Sequence, residues 1–261
     1  MEIFADLSAN LWSWKNDFMK NVIKTISLFC SLLSVTACVM EQDPEATHSD
    51  LLVSRGDLVA VSYNNDALVV FNEAGNFKHV LYQLPAPSET IGALSWLEET
   101  NEILISIEST PDRIDALSVT TGAVRSFYSN VTYFTGTSFG ITQLKNSRDV
   151  LVSEGATIER FSSTGVRETS PTGPANGWPA NVHANSQQLS GLQNGNWLSC
   201  SSTAGLRITP DSLTNLTATA TATGPVGATA SYGCAELSNG SIVVSWNGAA
   251  ADYVYLYNSA L

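Results

Sequence analysis

From Leu51 onward, apolar and β-branched residues come in runs of four to six, bounded by Asn, Gly, Ser, Asp and Pro. No stretch sustains the 3.6-residue period of a helix, so the pattern predicts strand, turn, strand throughout. One run recurs with a small residue closing it: Val59-Ala60-Val61-Ser62, Ile103-Leu104-Ile105-Ser106, Val150-Leu151-Val152-Ser153, Trp197-Leu198-Ser199-Cys200 and Ile242-Val243-Val244-Ser245. The closing residues stand 44, 47, 47 and 45 positions apart. Eight or nine residues before each comes an apolar residue (Val53, Leu97, Leu144, Leu192, Leu237), followed by a polar turn such as Leu192-Gln193-Asn194-Gly195. In the first unit the pattern predicts strands at 50–53, 57–63, 67–71 and 78–83. A hairpin turn is expected at Asn72-Glu73-Ala74-Gly75, with counterparts at Val119–Gly122 and Ser162–Gly165, where glycine supplies the positive φ such turns need.

Four strands per unit of about 46 residues is the mark of a β-propeller blade. A lone four-stranded unit cannot cover both its faces; stacked blades bury them, which accounts for the uninterrupted Val/Ile/Leu runs. The phrase Ala67-Leu68-Val69-Val70-Phe71-Asn72-Glu73-Ala74-Gly75-Asn76-Phe77-Lys78-His79-Val80-Leu81 resembles the repeats of NHL-type and YncE-like propellers. Neither a GH…WD pattern nor a kelch-like glycine doublet is present. The expected fold is therefore all-β: a propeller of four-stranded antiparallel blades over residues 51–261, with about five repeats. The fifth stops after its third strand at Tyr257, so either residues near the N-terminus complete it or further blades follow.

Ahead of the repeats the pattern changes. Met19-Lys20-Asn21-Val22-Ile23-Lys24 is a positive stretch, and Thr25–Leu33 is apolar but too short to remain as a membrane span. It runs into Ser34-Val35-Thr36-Ala37-Cys38, which resembles the lipobox of bacterial lipoproteins. The resemblance implies that Cys38 is acylated and becomes the first residue of the mature chain. Val39 follows where Asp would favour inner-membrane retention in enterobacteria, so it further implies an outer-membrane address, on the periplasmic or the surface face. Residues 1–38 then divide into a spurious extension ahead of Met19 and a signal peptide, and 39–50 read as a tether.

Charge narrows the partners. The chain has 12 basic and 24 acidic residues, net −12, and residues 39–261 keep that whole excess as 21 acidic against 9 basic. Such a surface repels phosphate backbones and excludes nucleic acid. It fits cations or basic partners, or serves only solubility, and leaves open whether a protein, a small molecule or a glycan is the ligand.

Candidate chemistry is sparse. There is no HExxH, no phosphate-binding glycine loop and no CxxC pair. Cys200 closes the second strand of unit four and Cys234 falls on the first strand of unit five. In an oxidising compartment they are either a bridge between neighbouring blades or two buried thiols. The loops after each second strand share a rim with the blade-to-blade connections. They bring Asn64, Asn65, Asp66, Glu108, Asp112, Glu154, Trp246 and Asn247 towards the mouth of the channel. Carboxylates and amides converging there could hold a hard cation such as Ca²⁺. Trp178, in the Pro/Gly-rich connection 166–188, is either a binding element or a lid. The reading favoured by these features is a non-catalytic binding module with no cofactor. Its rival is a metal-dependent propeller hydrolase of the lactonase kind, and a third reading is a fragment of a longer propeller.

Overall fold

The computed structural model describes residues 38–39, 52–62, 66–86, 88–129, 138–154, 157–168, 186–201, 205–212, 218–248, 252–258 and 261. They form a five-bladed β-propeller. Blade 1 holds β1 (Cys38–Val39), β2 (Leu58–Ser62), β3 (Ala67–Phe71) and β4 (Phe77–Gln83), and blade 2 holds β5 (Thr90–Leu97), β6 (Glu102–Glu108), β7 (Arg113–Ser118) and β8 (Val124–Tyr128). Blade 3 comprises β9 (Ser138–Gln143), β10 (Val150–Glu154), β11 (Thr157–Phe161) and β12 (Arg167–Glu168). Blade 4 comprises β13 (Ser186–Gly191), β14 (Trp197–Ser201), β15 (Gly205–Thr209) and β16 (Ala220–Ala222). Blade 5 has three strands, β17 (Ala228–Glu236), β18 (Ile242–Gly248) and β19 (Tyr253–Tyr257). Every pairing is antiparallel, in the order of the chain.

The middle strands of blades 1 to 4 are buried on both faces, for the reason the sequence suggested. On β6, Ile103, Ile105 and Ile107 pack into a core shared with Val59, Val61, Leu68 and Val70 of blade 1. Leu104, pointing the other way, packs with Ile141, Val150 and Val152 of blade 3. A third core joins blades 3 and 4 around Leu151, Leu189 and Trp197, and a fourth joins blades 4 and 5 around Leu198, Leu206, Val244 and Trp246. Alternation of side chains across each strand thus builds a core at every successive interface.

The small closing residue also has a physical cause. Ser106 donates its hydroxyl to the carbonyl of Ala93 (3.4 Å), Ser153 to that of Gly140 (3.3 Å) and Ser245 to that of Gly233 (3.5 Å). Each bond runs from the second strand to the first, close to a bulge in their pairing at Ile91/Ala93, Ser153/Glu154 or Ser231/Gly233. A bulge loosens the ladder locally, and a hydroxyl of this size ties it without a larger side chain. Crowding is severe between inner strands: a Cβ on Gly191 of β13 would stand 2.4 Å from the carbonyl oxygen of Gln143 at the end of β9.

The turns fall where expected, with Gly75, Gly122 and Gly165 at φ of 80°, 72° and 86°. One predicted strand does not form. Leu52 and Val53 lie in a bend, and the place of an inner strand on blade 1 is taken by Cys38–Val39, paired with Val59 and Leu58. The Leu52 N–H donates instead to Val119 of blade 2 (2.9 Å), while Ser54 N–H donates to the Asp57 carboxylate (2.8 Å). Val53 is nonetheless fully buried in the blade 1–2 core, so its apolar character was read correctly and its pairing was not.

A candidate binding rim on blade 2

The rim that carries the second-strand loops and the blade connections holds its best-defined charged cluster on blade 2. Arg113, the first residue of β7, donates from Nη2 to Glu89 Oε2 (2.9 Å), with a second bond from Nη1 to Oε1. Its Nε donates to Asp115 on the same strand (3.0 Å). Glu89 lies just before β5, so the fork clamps the connection from blade 1 onto blade 2. This bidentate bond holds the Glu89 carboxyl below the ordinary range and the Arg113 guanidinium above its own. Tyr82 on β4 abuts the cluster; burial, then the Asp115 charge, raises its phenol.

Beside the clamp stand two carboxyls of opposite character. Glu108 ends β6, and Asp112 sits four residues on, across the turn that holds the cis Thr110-Pro111 bond. Asp112 is 8% exposed and accepts from the Ser109 N–H (2.7 Å). Burial raises its carboxyl above the ordinary range, partly offset by that bond. Burial also raises Glu108, and the Asp112 charge adds to the effect. Neither carboxyl forms an ion pair among the described residues, and Arg113, the next residue, is committed to Glu89 and Asp115.

Of the residues singled out in the sequence, Glu108 and Asp112 are thus brought together. Asn64, Asn65 and Trp178 lie outside the described residues, as does the side chain of Glu154, whose backbone ends β10. Asp66 serves the backbone: it sits at φ 46° and its carbonyl accepts from Leu84 N–H (3.0 Å) and Gln83 Nε2 (3.3 Å). Trp246 is corrected from rim to core, since at 4% exposure it packs between blades 4 and 5. Asn247 is exposed, and its carbonyl accepts from the Thr229 hydroxyl (3.3 Å). Among the described residues no group of three or more His, Cys, Asp or Glu side chains is placed to hold a metal ion.

Glu89, Arg113, Asp115 and Tyr82 escaped the sequence reading. The signal for Glu89 was its place in a blade connection, which shares a rim with the second-strand loops that alone were surveyed; its pairing with Arg113 had none. The sequence reading has no Gly-x-Ser-x-Gly elbow, and this is corrected as to spacing: Gly136-Thr137-Ser138-Phe139-Gly140 matches it. The nucleophile elbow of that motif needs a sharp strand-to-helix turn, whereas Ser138 opens the inner strand β9, paired with β10.

No family model matches the sequence and no curated protein is similar to it. Solved structures are. Aldose sugar dehydrogenase from Streptomyces coelicolor, in its PQQ-bound form, superposes with a TM-score of 0.56 at 14% identity, over 86% of this chain and 81% of that one. Virginiamycin B lyase from Staphylococcus aureus gives 0.51 at 11% identity, over 86% and 70%. A chain of the nidogen/laminin complex gives 0.57 at 13% identity, over 76% and 73%. The likeness is of fold alone. Propellers of this kind thus carry a dehydrogenase, a lyase and a component of a protein complex, and function must be argued from the residues of this rim.

Proposed function

We propose that the chain is a lipoprotein of the bacterial cell envelope whose propeller is a non-catalytic binding module, taking at the blade 2 rim a ligand that presents a cationic or hydrogen-bond-donating group. The observation that carries this reading is the pair Glu108 and Asp112, partly buried, pushed towards the neutral form and, among the described residues, without an ion pair. A buried carboxylate lacking a counter-charge is costly. A ligand ammonium or guanidinium would supply that charge and favour ionisation. The excess of acidic residues would steer such a ligand to the surface.

The sign of the pH dependence follows. Both carboxyls have raised values in the folded protein, so it keeps protons that the unfolded chain has released. Their contribution to stability is therefore most favourable below the ordinary carboxylate range and falls as pH rises through the raised values. Binding of a cation runs the opposite way, strengthening over the same window. Thermal melts of the full chain with trilysine as probe are expected to show a larger rise in midpoint at pH 7 than at pH 4.5. The rise should vanish in the Glu108→Gln/Asp112→Asn variant. A trilysine effect untouched by that variant would remove the rim from the proposal. A rise with Ca²⁺, reversed by EDTA and likewise untouched, would favour a metal-dependent hydrolase instead.

Anchoring is the other half. The lipid would hang from Cys38, which with Val39 forms β1 of blade 1, and residues 40–50 would link β1 to the rest of the blade. Several acyl chains make such an anchor effectively permanent, at about 0.8 kcal/mol per buried CH₂. Growth of a bacterial host with labelled fatty acid is expected to label the chain in the outer-membrane fraction, and Cys38→Ser to abolish both label and membrane recovery. Label persisting in Cys38→Ser would refute the anchor.

A further inference from the structure

Blade 5 differs from the others at its outer edge. Blades 1 to 4 each end on a fourth strand, but among the described residues no strand pairs with the outer edge of β19. The outermost strands of blades 1 to 3 carry charge: Lys78 on β4, Arg125 on β8, Arg167 and Glu168 on β12. Charges in such places discourage edge-to-edge pairing. β19 has none. It reads Tyr253-Val254-Tyr255-Leu256-Tyr257, without Pro or Gly, and its register against β18 is unbroken. Val254, Tyr255 and Leu256 are 52%, 41% and 63% exposed.

The strand is also nearly a palindrome. Pairing two copies antiparallel about a two-fold axis through Tyr255 sets Tyr253 opposite Tyr257, Val254 opposite Leu256, and Tyr255 opposite itself. Side chains directly opposite share a face, so the tyrosine face would meet a tyrosine face and the Val/Leu face a Val/Leu face. The tyrosines already form a row, with ring centroids 6.1 Å apart for Tyr253–Tyr255 and 6.4 Å for Tyr255–Tyr257. The flanking acid is accommodated as well, since Asp252 would fall beside Asn258 of the other copy rather than beside a second Asp252. Both copies are strongly acidic, so a charge-free contact is what self-association requires.

We propose that β19 is a self-association edge, pairing antiparallel with β19 of a second copy to join two three-stranded blades into one six-stranded sheet. The contact is isologous, so it closes on a dimer and does not propagate. A five-residue edge buries little, and the dimer is therefore concentration-dependent. This inference rests on the fold and on β19, not on the rim.

The test is cross-linking in the full chain with Cys30 and Cys38 changed to Ser, which leaves the disulfide that the structure forms between Cys200 and Cys234 as an internal check of folding. Under mild oxidation, Tyr255→Cys is expected to give a disulfide-linked species at twice the 27.8 kDa of one chain. Tyr253→Cys alone should stay uncross-linked, because two residues at that position lie far apart across the axis, whereas mixing it with Tyr257→Cys chains should restore the link. Adding Leu256→Lys to Tyr255→Cys should cut the cross-linked fraction about tenfold, a like charge having been placed on the edge. The proposal is overturned if Tyr255→Cys stays monomeric at the highest soluble concentration. It is equally overturned if Tyr253→Cys links to itself as readily, the sign of register-free aggregation. Slow hydrogen exchange along β19 in a monomer would overturn it too, since another segment of the same chain would then hold the edge.

Discussion

Replacing Arg160 by Leu is expected to destabilise the protein by about 3–5 kcal/mol, because it leaves buried carboxylates without their counter-ion. Arg160 lies on β11 with only 3% of its side chain exposed. Its Nε donates to Asp149 Oδ2 (2.6 Å), Nη2 reaches Asp211 Oδ1 (3.0 Å), and Nε lies 3.3 Å from Glu168 Oε2. Asp211, 4% exposed at its side chain, belongs to blade 4, and its second oxygen accepts from the Ser147 N–H of blade 3 (3.0 Å). One guanidinium therefore gathers two acids of blade 3 and one of blade 4, a geometry that suits a planar fork and not an ammonium. Arg160→Lys should recover part of the loss and no more. Urea unfolding at two pH values separates the causes. Burial raises the Glu168 carboxyl and the Arg160 charge opposes that, so without Arg160 the deficit should be largest near pH 7 and shrink in acid as Glu168 takes up its proton. A deficit that ignores pH would mean lost packing, not stranded charge.

That network marks the limit of what was legible in the chain. The blades were legible because a middle strand buried on both faces must be apolar at every position. Ile103-Leu104-Ile105 and Val150-Leu151-Val152 recur for that reason. The closing serines were legible for a similar one, as in blades 2, 3 and 5 they tie a bulge between the first two strands. Pairings with no periodic signature were not legible. Glu89 and Arg113 are 24 residues apart, and Ser147 and Asp211 are 64, with nothing in the local sequence to match them. The missed strand at 50–53 is the same failure in miniature: an apolar residue can be known to be buried without its backbone partner being known. The rim was half legible, since Glu108 and Asp112 stand in a loop whose place follows from the repeat. What made them a candidate site, namely that Arg113 is already committed elsewhere, follows only from side-chain geometry.

Severing the bridge between Cys200 and Cys234 is expected to cost about 3–4 kcal/mol on the chain-entropy estimate for a loop of this length. The two cysteines are 34 residues apart, with Cα atoms 6.1 Å from each other. Cys200 stands where blades 1, 2, 3 and 5 have Ser62, Ser106, Ser153 and Ser245. In blades 2, 3 and 5 that residue ties its own blade's inner strand; in blade 4 the bond instead reaches β17 of blade 5. The reason lies in how blade 5 is held. Its middle strand is buried on the face carrying Ile242, Val244 and Trp246, but Val243 and Ser245 on the other face are only partly covered. A blade packed mainly against one neighbour has less apolar burial to keep it in place, and a covalent link to that neighbour offsets the difference. Cys200→Ser with Cys234→Ala restores the residue of the other blades and avoids a stranded thiol. In urea this variant should unfold at the midpoint that the parent shows in reductant, with blade 5 the first segment to open to protease. If reductant leaves the parent's midpoint unchanged, the bridge does not hold blade 5, and the blade 4–5 core alone must be strong enough to do so.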